Sequence, residues 1–303
     1  MWSTGPVSTR VVDGRARVVR EIRAAAPLMA DLAAPVPASG PWLTVTLNVQ
    51  PARPFSPVST RAVVVEGAGP RVDGLALLSY RRRGPATAVT LLGADPGPLP
   101  GGRPYGRLYA RDEEVAGRLA DGVADLLDRL RGPWTLDLAG LPLGDPTLRR
   151  LAAALPDSSL ATSRSRRLVD ELDAVAEVRR TRDPAEVERR LPGVLARVPD
   201  RQRTFVRAAA RLHAAIGQLE VAWVPALDGP AALLLTLLDR RPTGEDRWPW
   251  WGSSDVGGLR RELGSPTVAL TAAAGLRRLG RRGAARQLSG EPAAAVSRAA
   301  AAR

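Results

Sequence analysis

Glu220 stands in an otherwise apolar run, Leu219-Glu220-Val221-Ala222-Trp223-Val224. A carboxylate so placed can act as a general base when it faces a cleft, because burial raises its pKa. On the outer face of an alternating strand the same group is simply solvated. His213 is the only histidine, which excludes a multi-histidine metal site and any two-histidine mechanism. A lone imidazole is either catalytic or packed. There is no cysteine, so disulfides and thiolate metal sites are excluded and no metal is expected. Arg247-Trp248-Pro249-Trp250-Trp251 is unusual in a chain with 4% aromatic residues. Tryptophans beside arginine can stack on an adenine or a nucleic-acid base, or can pack a core. Arg164, Arg166 and Arg167 form a basic cluster, either a phosphate contact or a solvated face.

The elements that must position these groups follow from the pattern of apolar residues. Residues 12–33 carry a helical pattern (Val18, Val19, Ile22, Leu28, Met29, Leu32) interrupted by Pro27. Residues 42–49 alternate apolar and polar and predict a strand. Strands are expected around 61–66, 73–83 and 87–93, with loops at 51–57 and 94–106. Asp112, Glu113 and Glu114 open a helix, and Gly132 can end it. Val115, Leu119, Val123, Leu126 and Leu130 form its inward stripe. Residues 134–138 alternate as a strand, and Asp145-Pro146 starts another helix.

Residues 157–172 read as a polar connection. Val175 to Val178 is a short strand candidate, and Asp183-Pro184-Ala185-Glu186 is a capping box, with Pro192 set to split the helix that follows. A helix over 202–216 buries Phe205, Ala209, Leu212 and Ile216. Residues 219–227 and 231–238, joined by Asp228-Gly229, predict a hairpin. A strand at 247–252, a short helix at 255–262, a strand at 267–271, a helix to about 279 and a fraying tail complete the chain.

The chain also repeats itself in outline. Asp73-Gly74-Leu75-Ala76-Leu77-Leu78-Ser79-Tyr80-Arg81-Arg82-Arg83 is echoed by Asp228-Gly229-Pro230-Ala231-Ala232-Leu233-Leu234-Leu235-Thr236-Leu237-Leu238-Asp239-Arg240-Arg241. Each copy follows an apolar run and precedes another ending in glycine, Leu91-Leu92-Gly93 and Trp250-Trp251-Gly252. An internal duplication constrains the fold more than a single motif does. The expectation is an α/β chain with mixed α+β sheets in two tandem halves: residues 1–165, residues 166–285, and an Ala/Arg-rich tail at 286–303.

Composition narrows the setting. The 303 residues are 45% hydrophobic, enough for a real core. No stretch suits a membrane-spanning helix. The opening residues lack the charged and apolar segments of a secretory signal, which predicts the cytoplasm. All 44 basic residues are arginine, and the net charge is +13. A pI near 11.4 favours polyanions: nucleic acid, phospholipid, or phosphorylated cofactors such as CoA. The lysine-free composition is also what a GC-rich coding sequence yields.

A hairpin, a further strand, a helix, then a strand and helix is an order that resembles the GNAT acyltransferase fold. Two such units resemble the FemABX-like group, and more closely the cellulose-biosynthesis-like acetyltransferases of high-GC bacteria. Gly74-Leu75-Ala76-Leu77-Leu78 with Arg81-Arg82-Arg83, Val89-Thr90-Leu91-Leu92-Gly93, and Trp134-Thr135-Leu136-Asp137-Leu138 with Leu141-Pro142-Leu143 carry the likeness, over residues 40–285. The resemblance implies acyl transfer from acetyl-CoA or a related thioester to an amine acceptor. A pantetheine arm would pair with a strand edge between two splayed strands, and the pyrophosphate would sit on backbone N–H groups at a helix start.

In the second half that loop would be Gly252-Ser253-Ser254-Asp255-Val256-Gly257-Gly258-Leu259. Gly252, Ser253, Ser254, Gly257 and Gly258 would bind the cofactor beside Trp250, with Glu220 as base. The segment lacks the family's leading basic residue, and it is also readable as an ordinary capped helix start. The alternative is a non-catalytic basic binding protein on a degenerate scaffold of this kind, with nucleic acid or another polyanion as partner.

Overall fold

The structure, a computed structural model, describes residues 8–50, 58–67, 71–94, 97–155, 157–227, 229–241 and 244–275. The expected loop at 51–57 and the tail at 286–303 lie outside them. The chain forms the mixed α/β architecture expected from its sequence, in two sheets.

The larger sheet begins with β1 (Ser8–Asp13), α1 (Arg15–Ala24), α2 (Ala26–Asp31) and α3 (Gly40–Val49). β2 (Val58–Glu66), β3 (Val72–Arg83) and β4 (Ala86–Leu91) follow, then a two-residue β5 (Tyr109–Ala110). α4 (Glu113–Asp128), β6 (Trp134–Leu141), α5 (Pro146–Ala154) and β7 (Ser159–Asp170) come next. The smaller sheet is built from β8 (Arg179–Thr181), α6 (Pro184–Arg197), α7 (Asp200–Ala215), β9 (Leu219–Val224), β10 (Ala232–Arg241) and β11 (Gly244–Ser254). β12 (Leu259–Ala274) ends the described chain.

Strand order in the larger sheet is β1-β2-β3-β4-β6-β12-β7, with β5 on β3; in the smaller it is β11-β10-β9-β8. β12 therefore returns to the first sheet and inserts between β6 and β7. The division expected at 165/166 falls inside β7, and everything from β8 to β11 is an excursion between two neighbouring strands of one sheet. The reason is pairing. β12 offers one edge to β6 from Val268 to Ala274 and the other to β7 from Leu259 to Thr271. Both portions run strand, helices, hairpin, strand, and β3 and β10 occupy like places in that order.

Helices cover both faces of the larger sheet. α4 and α5 bury Leu119, Val123, Leu148 and Leu151 against Val63, Ala76, Leu78 and Leu136. α1, α2 and α3 bury Ile22, Leu28 and Leu43 against Ala62, Val64, Leu75 and Leu77. Asp112 caps α4 by accepting from the Val115 N–H at 2.9 Å, as its sequence position predicts.

Several elements differ from the reading above. Residues 42–49 form a helix, not a strand, with Pro41 in its first turn. α3 is wedged between the sheets: Trp42 and Val45 join the core of the smaller one, Leu43 and Leu47 that of the larger. A helix buried on nearly all sides loses its amphipathic signature, so the alternation misled. Residues 159–170 are an exposed edge strand, invisible to hydrophobic patterning because Ser159 to Arg164 are all exposed. The short strand falls at 179–181, just past the expected 175–178. Pro192 leaves α6 continuous, because Leu191, Val194 and Leu195 hold it against the core. The expected helix at 255–262 is absent: 255–257 bend and β12 begins at Leu259. Residues 272–274 of the last expected helix continue β12, and 276–279 lie outside the described residues.

Candidate functional site

A cleft of about 710 Å³ opens between the edge of the larger sheet at β7 and the edge of the smaller at β11. The edges meet where Gly252 packs on Leu168. A Cβ at Gly252 would lie 2.8 Å from Leu259 Cδ1 and 3.1 Å from Leu168 Cδ2 and Leu234 Cδ1, so the missing side chain lets these leucines close on the strand. Arg103, Arg164, Arg167, Arg180 and Arg247 line the cleft, together with Asp170 and Asp173.

Carboxylates fix most of these guanidiniums. Arg103 pairs with both oxygens of Asp246, at 2.5 and 3.0 Å, and lies 5.0 Å over the Trp248 ring. Arg167 donates twice to Glu262 Oε2, at 3.0 and 2.6 Å. Arg180 bridges Asp170 at 2.8 Å and Asp173 at 2.5 Å. Arg247 donates to Glu220 and lies 3.5 Å from Asp170. Arg164 has no carboxylate partner among the described residues.

Glu220 is buried at the back of this cluster. Arg247 is its direct partner, with Arg180 at 3.6 Å and Arg182 at 3.7 Å. Three arginines from separate segments thus surround the Glu220 carboxylate, which is already engaged in an ion pair. Its residue type was legible in the sequence; its arginine cage was not, because Arg180 and Arg247 come from other strands and Arg182 from the connection after β8.

The other expected groups are dispersed. Trp250 is 4% exposed, edge-on to Trp42 at 5.4 Å, and its indole N–H donates to the Pro98 carbonyl at 2.7 Å. It packs a core and has no free face for an adenine. Trp248 is likewise buried and donates to the Gly101 carbonyl at 2.8 Å. Gly257 and Gly258 take positive φ, 81° and 75°, in the turn from β11 into β12. Ser254 Oγ already accepts from the Val256 N–H at 3.2 Å and donates to the Gly257 carbonyl at 2.5 Å. Gly252, Ser253, Ser254, Gly257 and Gly258 thus lie at no helix start, and the physical basis for a pyrophosphate seat there is missing.

His213 is fully buried beside Trp42, with Nδ1 3.0 Å from Gln218 Oε1; burial pushes its pKa down to about 4. It is a packed imidazole. The Glu220-bearing sheet has no splay, since β10 pairs continuously with β9 and, past a one-residue bulge at Trp250, with β11.

The parting of strands lies in the larger sheet instead. β4 and β6 run parallel and pair from Thr87–Trp134 to Thr90–Asp137, after which β6 continues to Leu141 paired with β12 but no longer with β4. The chain's own strap, residues 97–107, crosses this gap. The Gly140 carbonyl accepts from the N–H groups of Tyr105 and Gly106, both at 3.0 Å. The Tyr105 ring lies over Gly140 so closely that a Cβ there would sit 2.3 Å from it. A small space of about 10 Å³ lies beside Tyr105, Gly106 and Leu91 on the side of Leu43 and Leu77. The same strap carries Pro98, Gly101 and Arg103 to the smaller sheet. The sequence predicts plain loop over 94–106; its density of glycine is the one local signal of close backbone contacts there.

No family model and no curated protein matches this chain. Among solved structures, it is similar to a conserved protein of unknown function from Bacteroides thetaiotaomicron VPI-5482, at 9% identity and a TM-score of 0.40, over 76% of this chain and 88% of that one. It is also similar to a probable N-acyltransferase of unknown function from Enterococcus faecalis V583, at 10% identity and a TM-score of 0.32, over 86% and 72% of the respective chains. Neither similarity bears on the site or its chemistry. No described helix is long and apolar enough to cross a membrane, and no described cluster of acidic or histidine side chains suits a metal ion.

Proposed function

We propose that this chain is a binding protein for an anionic molecule, built on a GNAT-like scaffold whose acyl-donor groove is closed by its own strap. The carrying observation is the pair of hydrogen bonds from Tyr105 and Gly106 to the Gly140 carbonyl. They lie in the only parting between parallel strands among the described residues, where such a scaffold would lodge a pantetheine arm. The helix that follows supports the same reading. α4 opens with Asp112, Glu113 and Glu114, and the Asp112 carboxylate already occupies the Val115 N–H. Negative charge at that helix start disfavours a pyrophosphate. The residues present therefore do not fit acyl-CoA in the expected way.

S-acetylpantetheine tests this directly, because it carries the thioester arm without phosphate. Calorimetric titration is expected to show no saturable binding; a saturable isotherm overturns the closed groove.

A second reading, acyl transfer from a CoA-type thioester to an amine, is favoured by the parallel β4–β6 pair and its divergence. It requires residues 103–107 to leave the gap, so the same titration separates the two.

A further inference from the structure

We propose that the cleft between β7 and β11 is the ligand site and takes a small phosphate ester of about nucleotide size. This rests on the reading of the chain as an anion-binding protein and names the site and the ligand class. The cavity, about 710 Å³, falls in the range of small-molecule pockets. Arginines line it from three parts of the fold: Arg103 on the strap, Arg164 and Arg167 on β7, and Arg180 and Arg247 on the smaller sheet.

Asp246, Glu262, Asp170, Asp173 and Glu220 orient four of them, and each guanidinium carries five N–H donors, more than its carboxylates use. The donors are thus held in place before a ligand arrives, which lowers the entropy lost on binding. Arg164 adds a charge with no carboxylate against it among the described residues. Arginines carried on several elements suit the three oxygens of a phosphate better than the flat fork of a single carboxylate. Leu168, Pro249, Leu263 and Pro266 supply apolar wall for the ester's body.

The test is calorimetric titration of the full chain at low salt with AMP, pyrophosphate and citrate. AMP and pyrophosphate are expected to bind saturably at one site. Arg164→Ala should weaken both about tenfold at unchanged thermal midpoint, the loss of one charge-assisted contact. Arg207→Ala, on α7 away from the cleft, should leave them unchanged. Absence of saturable binding, equal loss in Arg207→Ala, or tighter binding of citrate overturns the assignment. So does binding of an RNA oligonucleotide that is steeply salt-dependent and indifferent to Arg164→Ala. S-acetylpantetheine is run in parallel: its binding would overturn the closed-groove reading while leaving the result at the cleft readable on its own.

Discussion

The indole N–H of Trp250 donates to the carbonyl of Pro98 at 2.7 Å, across 152 residues of sequence. With Trp248 on Gly101 and Arg103 on Asp246, it fastens the strap to the smaller sheet at one end, while Gly140 fastens it to the larger sheet at the other. The same segment thus closes the gap between β4 and β6 and forms one wall of the cleft.

Trp250→Phe keeps an aromatic ring but leaves the Pro98 carbonyl without its donor. A loss of about 1–3 kcal/mol in denaturant unfolding is expected, from the hydrogen bond and the smaller ring. An unchanged midpoint would mean that the strap is not anchored there.

Gly140 sits at φ 74° with the Tyr105 ring against it. Gly140→Ala should destabilise by roughly 2–4 kcal/mol, from the left-handed backbone and the displaced ring together. In a double-mutant cycle with Tyr105→Ala, a coupling above about 0.5 kcal/mol is expected. Additive losses would show that the ring does not press on this position.

Glu220→Gln keeps the shape and removes the charge that Arg247, Arg180 and Arg182 surround. Breaking a buried ion pair is strongly destabilising. Here Arg247 and Arg182 are 42% and 49% exposed, and solvent screens part of the loss, so about 1–3 kcal/mol is expected. Unfolding measured at low and at high salt should show the difference shrinking with salt; a variant as stable as the parent would argue that Glu220 is free for another role.

His213 is held neutral by burial, with its pKa lowered to about 4. The unfolded chain takes up a proton at this ring near pH 6.5, while the folded chain does not until about pH 4. Stability contributed by the neutral ring is therefore intact above pH 6.5 and declines as pH falls towards 4, by about 3 kcal/mol in all. His213→Gln should flatten this part of the stability profile. Glu66, whose carboxyl is held below its usual range by Arg10, adds a separate decline only below about pH 4.5. A profile identical in the variant would exclude the histidine as its source.

Much of the scaffold was legible because it rests on local rules. Asp112 with Glu113, Asp145 with Pro146, and Asp183 with Pro184 each start a helix where the sequence puts one, since a cap and its N–H partners lie within one turn. The apolar runs of β2, β3, β9 and β10 are strands because both their faces are covered. The signal failed where burial and pattern come apart. α3 is buried nearly all round, and the outer part of β7 is exposed on both faces, so neither carries a usable period.

What the sequence determined by itself is the inventory: arginine as the only strong base, one histidine, no thiol, and the segments whose apolar period commits them to helix or strand. What only the tertiary structure decided is which of these groups meet. That β12 returns to the first sheet, that residues 97–107 lie across the β4–β6 gap, and that Glu220 faces arginines are all contacts between residues distant along the chain. Local propensity acts over a few residues. Strand pairing and charge pairing at such separations are set by the packing of whole elements, where the burial of each apolar face leaves the edges and cleft at one place only.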